Sequence, residues 1–102
     1  MAAYAIMDVE IHDLEQYLAY MKAVRPALDA CGAAYLVRGG AHHVLEGDYE
    51  PHRLVVVEFP SLEALRDFYQ SEEYRALEEQ RRACSTANLV AVQGIKHPAA
   101  PG

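Results

Sequence analysis

The chain has 102 residues, of which 52% are hydrophobic and 24% are charged. This length and composition are typical of one globular domain, which buries roughly 60 to 70% of the surface of its unfolded form in a single core. The formal net charge of -6 argues against nucleic acid or an anionic membrane as a partner, because both carry negative charge themselves.

Alternating apolar residues at the start of the chain predict a first strand over residues 3–11. Asp13 follows as a helix N-cap, and apolar residues at helical spacing predict a long helix that continues to about Cys31. Pro26 lies inside this helix, where it removes a backbone donor and crowds the preceding turn. We therefore expect a kink or a break near Arg25.

The stretch YLVRGGAHHVLEGD predicts a bent second strand. We expect this strand to begin at Ala33, to bend at the glycine pair 39–40 and to continue through Leu45. His42 and His43 are adjacent, so on a regular strand they point to opposite faces and cannot ligate one metal ion together. The pair predicts no metal site, although a single histidine such as His42 is a candidate base.

The run RLVVVEF predicts a third strand over residues 53–59, and serine caps at Ser61 and Ser71 predict two consecutive helical pieces. A closing strand is predicted over residues 87–95. The resulting order, βαββαβ, predicts an α+β fold of the ferredoxin-like type. Its antiparallel sheet carries the helices on one face, and strands one and three are central and parallel to each other.

One domain accounts for residues 1–96, and the tail HPAAPG, residues 97–102, is predicted to be disordered. In the third strand Val55 and Val57 point to one face and Val56 to the other, so both sheet faces are apolar while the helices cover one. A large uncovered apolar face is uncommon in a monomer. We therefore predict a homodimer that forms through the uncovered sheet face.

The chain resembles the family catalogued as domain of unknown function 1330 in five blocks between Tyr4 and Gly94: YLVRGG, VLEGDY, RLVVVEFPS, FYQSEEY and LVAVQG. The resemblance implies the dimeric α/β-barrel superfamily, in which two ferredoxin-like subunits pack their sheets together. That superfamily includes cofactor-free monooxygenases, muconolactone isomerases, haem-binding chlorite-degrading enzymes and ligand-sensing modules. The resemblance therefore implies a fold and an assembly but no particular reaction.

Glu58 places a carboxylate on the apolar strand face that carries Leu54 and Val56, where it must be paired, hydrated or protonated. With strands one and three parallel, Asp8 or Glu10 would fall at the same sheet edge and would raise the pKa of Glu58. The alternative is a structural salt bridge to one of three arginines, namely Arg38, Arg53 or Arg81.

Arg38 precedes the glycine pair, and its planar guanidinium could hold an anionic ligand that the glycines allow to approach closely. The alternative is a β-bulge in which Arg38 pairs with a carboxylate. Tyr69 and Tyr74 belong to an aromatic set at helical spacing that we expect to be mostly core. They could also line a pocket wall, where Arg81 would hold an anionic group.

Cys31 and Cys84 lie far apart and lack metal-binding or CxxC spacing, which predicts reduced thiols and a cytoplasmic setting. The chain opens without the pattern of a secretory signal, and no apolar run approaches the roughly 20 residues that span a bilayer. We find no pattern that calls for a metal, haem, flavin or other cofactor.

The sequence leaves two functions open. The first is binding of a small organic metabolite in a pocket between sheet and helices and, in its stronger form, cofactor-independent catalysis on an aromatic or carbonyl-bearing compound. Its pocket candidates are Arg38, His42, Glu58, Tyr69, Tyr74 and Arg81. The second is a non-catalytic ligand-binding or purely structural homodimer.

Overall fold

The computed structural model describes residues 1–96, which form four strands and three helices. The elements follow in chain order as β1 (Ala3–Ile11), α1 (Leu14–Ala30), β2 (Ala34–Arg38), β3 (Leu54–Phe59), α2 (Leu62–Gln70), α3 (Glu72–Cys84) and β4 (Ser85–Gln93). This is the predicted α+β order. The predicted tail, residues 97–102, lies outside the described residues.

The sheet has the strand order β2-β3-β1-β4, and all three neighbouring pairs are antiparallel. The two central strands are as predicted, but the prediction that β1 and β3 are parallel is wrong. Helix α1 returns the chain so that β2 runs in the direction of β1, and β3 then reverses to fit between them. Tyr4 consequently pairs with Glu58 and Asp8 with Leu54, so Asp8 and Glu58 lie toward opposite ends of the strands.

Strand β2 ends at Arg38, so the prediction that it continues through Leu45 is wrong. Gly39 has a φ of +71° and donates its N–H to the Leu54 carbonyl at 2.8 Å, which closes the pairing with β3. A side chain at position 39 would also collide with the guanidinium of Arg53. The glycine therefore ends the strand and makes room for an arginine, and the loop over residues 39–53 follows.

Helix α1 runs from Leu14 to Ala30 with Pro26 inside it, so the predicted break near Arg25 does not occur. Pro26 removes the hydrogen bond that would run to the carbonyl of Lys22. Both residues are exposed, so water can satisfy that carbonyl. The exposed position therefore allows the helix to continue past the proline.

The two sheet faces differ in what covers them. The helices pack on the face whose buried strand residues include Ala5, Met7, Val55, Val57 and Phe59. The opposite face, here called the open face, carries an apolar row with one residue from each strand: Val37, Val56, Ile6 and Val90. The open face is uncovered in the single chain, as the alternation along the strands predicts.

Candidate functional site

A small cavity between the sheet and the helices is walled by five tyrosines, Tyr17, Tyr20, Tyr35, Tyr69 and Tyr74, together with apolar side chains. We call it the tyrosine pocket. Its volume is about 20 Å³, which is room for a single water molecule. Met21, Tyr35 and Tyr69 are half-buried and form its outer side, so access to the pocket depends on these side chains.

Local helix geometry brings the tyrosines together. Tyr17 and Tyr20 are three residues apart on α1 and share its buried face, with ring centroids 5.8 Å apart. Ser71 caps α3 by accepting the Tyr74 N–H at 3.1 Å, and this fixes Tyr74 in the first turn. Tyr69, near the end of α2, packs edge-on against Tyr74 with 4.7 Å between the ring centroids.

Arg81 lies behind this wall as a buried cation. It follows Tyr74 by seven residues, or two helical turns, so both side chains lie on the same face of α3. Arg81 is 4% exposed, its Nε donates to Tyr74 Oη at 3.3 Å, and Tyr74 Oη lies 3.5 Å from Tyr20 Oη. Within residues 1–96 no carboxylate forms a salt bridge with Arg81. The Tyr74 hydroxyl therefore occupies the place where a counter-ion is usual for a buried arginine.

Arg53 contributes a second guanidinium to the same side of the sheet. Its Cζ lies 5.7 Å from the ring centroid of Tyr17, a distance at which cation and aromatic face attract each other. Its Nε is buried and has no hydrogen-bond partner among the described residues. A buried donor without a partner is costly, and such donors cluster where a ligand or water completes the site.

Burial shifts the pKa values of these groups. It raises the pKa of Tyr20 and of Tyr69, and the nearby Tyr74 adds to the effect in both cases. Burial lowers the pKa of Arg81, but the neighbouring Tyr74 and its hydrogen bond outweigh this, so the pKa lies above its usual value. At neutral pH the pocket is therefore lined by neutral tyrosine hydroxyls, and the charged Arg81 lies behind Tyr74 without lining the cavity itself.

A second cavity, here called the outer groove, lies between the C-terminal half of α1 and the edge strand β2. It has a volume of about 390 Å³, and both Arg25 and Arg38 line it. Their Cζ atoms lie 5.9 Å and 5.4 Å from the ring centroid of Tyr35. Leu28 and Tyr35 line both the outer groove and the tyrosine pocket, so these two side chains separate the cavities.

Asp8 fixes the loop that delivers Arg53. Its Oδ1 accepts the backbone N–H of His52 at 2.9 Å and that of Arg53 at 3.3 Å, and its Oδ2 accepts the Tyr49 hydroxyl. The bond from Tyr49 is the main cause that holds the pKa of Asp8 below its usual value, and the backbone bonds add to it against the effect of burial. One carboxylate on β1 therefore positions the chain just before β3.

The chain also matches the model of a known protein family. The model of a family described as a domain of unknown function, DUF1330, matches residues 2–95. The chain belongs to the DUF1330 family. This confirms the resemblance read from the sequence blocks, while a comparison with curated proteins gives no match.

Solved structures share the fold of this DUF1330 chain. A protein of unknown function from Rhodopseudomonas palustris has a TM-score of 0.75 at 19% identity, covering 94% of this chain and 84% of that one. A dimeric ferredoxin-like protein of unknown function from Jannaschia sp. CCS1 has a TM-score of 0.70 at 12% identity, covering 92% and 100%. SnoaB, a cofactor-independent oxygenase from Streptomyces nogalater, has a TM-score of 0.62 at 11% identity, covering 97% and 98%. At these identities the likeness shows the fold alone, and it confirms the ferredoxin-like prediction.

The DUF1330 chain brings together three of the six predicted pocket residues, Tyr69, Tyr74 and Arg81. Arg38 lies in the outer groove, where its guanidinium stacks on Tyr35. His42 lies in the loop after β2, with Nε2 3.5 Å from a carboxylate oxygen of Glu50.

Glu58 lies on the open face, and no arginine of residues 1–96 forms a salt bridge with it. Asp8 lies toward the far end of β1 because the strands are antiparallel, so the predicted carboxylate pair is wrong. Sequence reasoning treated Arg53 as a partner of Glu58 and missed its contact with Tyr17. That contact has no local signal, because it depends on the course of the loop over residues 39–53.

Two further observations apply to the part of the DUF1330 chain that the structure describes. There, no group of three or more His, Cys, Asp or Glu residues is arranged to hold a metal ion. The helices in that part are all too short or too polar to cross a membrane.

Proposed function

We propose that the protein binds a small aromatic, carbonyl-bearing metabolite in the tyrosine pocket and acts as a homodimer. The observation that carries the proposal is the buried Arg81 guanidinium, whose Nε donates to the Tyr74 hydroxyl and which has no carboxylate of residues 1–96 as a salt-bridge partner. A charged donor of this kind is ready to bind the acceptor oxygen of a ligand.

The protonation of the pocket indicates what it recognises. Tyr20 and Tyr69 are neutral at pH 7, as a tyrosine of ordinary pKa also is, and burial raises the pKa of each further, so they can donate hydrogen bonds to a carbonyl oxygen. Aromatic walls favour a planar ligand. The cavity lining contains no histidine or carboxylate among the described residues, so no strong base is in place to abstract a proton. These features support binding more directly than they support acid–base catalysis.

Binding requires the pocket to open, because about 20 Å³ does not hold an aromatic ring. Tyr35 and Tyr69 are the half-buried side chains through which it would open. The hydroxyl of Tyr35 donates to Met21 Sδ at 3.9 Å, which is a weak bond. Rotation of Tyr35 would break this weak bond, would shift the ring against the Arg25 and Arg38 guanidiniums, and would join the pocket to the outer groove.

The homodimer part of the proposal rests on the open face. Its apolar row, which includes Ile6 at 36% exposure and Val90 at 58%, is a surface that a second sheet would cover. A structural neighbour from Jannaschia sp. CCS1 is described as dimeric, which supports the same assembly here. Two free thiols, Cys31 and Cys84, are compatible with a reducing cytoplasm as the place where the protein works.

The test is NMR titration of the isotope-labelled protein with acetophenone, an aromatic ketone, and with ethylbenzene, which lacks the carbonyl. We expect acetophenone to bind more tightly by about tenfold and to shift the resonances of Tyr20, Tyr69 and Tyr74. Arg81→Met should remove this preference, while Arg82→Met, at an exposed neighbouring position, should keep it. Equal binding of both compounds, or no binding, would contradict the proposal.

The second candidate function is a purely structural dimer. The small volume of the tyrosine pocket favours it, because a pocket of one water molecule needs no ligand to be filled. The same titration decides between the two functions: a structural dimer predicts that neither compound shifts the pocket residues.

A further inference from the structure

We propose that the outer groove is a carboxylate subsite, in which the Arg38 guanidinium binds the carboxylate of a small aromatic acid. The proposal extends the proposed function: the expected ligands are compounds with an anionic carboxylate attached to an aromatic body. The binding of the aromatic, carbonyl-bearing part in the tyrosine pocket rests on the proposed function. The site itself is argued from the charges and walls of the groove.

The charges single out Arg38. Arg25 is already paired, since its Nε lies 3.3 Å from a carboxylate oxygen of Asp29. Arg38 forms no salt bridge with any carboxylate of residues 1–96, and its guanidinium is held over the ring of Tyr35. One positive charge is thus left in the groove of a chain whose formal net charge is -6. A guanidinium in a fixed orientation binds a carboxylate through two parallel hydrogen bonds.

The surroundings favour a singly charged anion. Asp29 lines the groove, and the C-terminal end of α1, which carries partial negative charge, lies close by. Both would repel a phosphate dianion more strongly than a carboxylate. The expected ligand therefore carries one negative charge, and inorganic phosphate should bind more weakly than an aromatic acid.

The walls of the groove suit an aromatic body. A volume of about 390 Å³ lies within the range of roughly 300 to 1,000 Å³ found for small-molecule sites. Leu36, which is 55% exposed, supplies apolar surface beside Arg38, and the buried Leu28 and Ala33 lie beneath the groove. Leu28 and Tyr35 separate this groove from the tyrosine pocket, so a ligand held at Arg38 is one side chain away from the buried tyrosines.

The experiment is NMR titration with benzoate, with its neutral isostere benzamide, and with inorganic phosphate. We expect benzoate to shift the amide resonances of β2 and of the C-terminal half of α1, and to bind about tenfold more tightly than benzamide. Arg38→Gln should lower the benzoate affinity about tenfold and leave that of benzamide unchanged. Arg75→Gln, which removes an exposed charge on α3, is the matched control and should bind benzoate as the wild type does.

The proposal is overturned if Arg38→Gln and Arg75→Gln bind benzoate equally well, if benzoate shifts other regions instead, or if phosphate binds the groove more tightly. These outcomes are independent of the acetophenone titration. If acetophenone binds but benzoate is not preferred over benzamide, only the carboxylate subsite is contradicted. If benzoate binds through Arg38 but acetophenone does not bind, the ligand-binding role of the tyrosine pocket is contradicted and the carboxylate subsite stands.

Discussion

The two faces of the sheet carry charges of opposite sign. On the helix-covered face, Arg53 and Arg81 lie among tyrosines, and neither forms a salt bridge in the described range 1–96. On the open face, Asp8, Glu10 and Glu58 accompany an apolar centre, and no arginine pairs with them in that same range. Each face thus has charges that the other could have neutralised, and the sheet between them prevents it.

This difference separates two roles. On the covered face Arg81 has a hydrogen bond only to Tyr74 and the buried Nε of Arg53 has no partner in residues 1–96, so this face is suited to a ligand with acceptor oxygens. The open face buries its apolar centre only when a second molecule covers it, and its half-exposed carboxylates can remain hydrated at the edge.

The largest effect is expected from Ile6→Lys, at the centre of the open face. A lysine in the middle of a packed sheet interface loses its hydration, and the carboxylates of Asp8 and Glu58 lie toward the two ends of the strands, so the dimer should weaken at least about a hundredfold. Light scattering coupled to size-exclusion chromatography should show a folded monomer. Leu18→Lys is the matched control, because Leu18 is an exposed apolar residue on α1, and this variant should remain dimeric. If Ile6→Lys and Leu18→Lys are both dimeric, the open face is not the interface.

The second effect concerns the loop that carries Arg53. Asp8→Ala removes the acceptor for two backbone N–H groups and the Tyr49 hydroxyl, so the free energy of unfolding should fall by about 1 to 3 kcal/mol. Chemical denaturation at neutral pH measures this fall. Asp48→Ala, at an exposed position of the same loop, should change stability little.

The pH dependence of that effect has a definite sign. The folded protein holds the pKa of Asp8 below 3.8, the ordinary value for this side chain. The contribution of the ionised Asp8 to stability is therefore complete above pH 3.8 and is lost as the pH falls through the pKa of the folded state. The stability difference between wild type and Asp8→Ala should therefore shrink on acidification below that pH. A difference that stays constant down to the lowest pH at which the protein folds would contradict the role of the ionised carboxylate.

The smallest effect is expected at Glu58. Glu58 has no arginine partner in residues 1–96, so Glu58→Gln does not leave an arginine without its counter-ion. The free energy of unfolding should therefore change by less than about 0.5 kcal/mol. Thermal denaturation at a fixed protein concentration measures it. A melting temperature several degrees lower in Glu58→Gln would instead support a structural salt bridge of Glu58, the alternative that the sequence suggested.

Local sequence patterns predicted the parts of the fold that depend on neighbours along the chain. The caps at Asp13, Ser61 and Ser71 all begin helices where expected, and the alternation in β1 and β3 predicted two apolar faces. Such patterns do not predict the direction of β3, because this direction depends on how α1 crosses the sheet.

The candidate site was predictable in part for the same reason. Tyr74 and Arg81 lie two turns apart on one helix, so their spacing in the sequence placed them together. Arg53 reaches Tyr17 only because Asp8 fixes a loop without helical or strand periodicity and Gly39 leaves space for the guanidinium. No periodicity in the sequence could have revealed that contact.

The most direct test of the account is the stability of Arg81→Met in the absence of ligand. If the buried cation is kept for a ligand, a methionine of similar length should raise the free energy of unfolding by about 1 kcal/mol, because Tyr74 keeps its contact with Tyr20 and no charge remains to be buried. The melting temperature should then rise by about 4 to 8 °C, while Arg75→Met, at an exposed position on the same helix and without a salt bridge in residues 1–96, should leave it unchanged. A clear fall in the melting temperature of Arg81→Met would show that the tyrosines already satisfy Arg81 and that the covered face is built for stability.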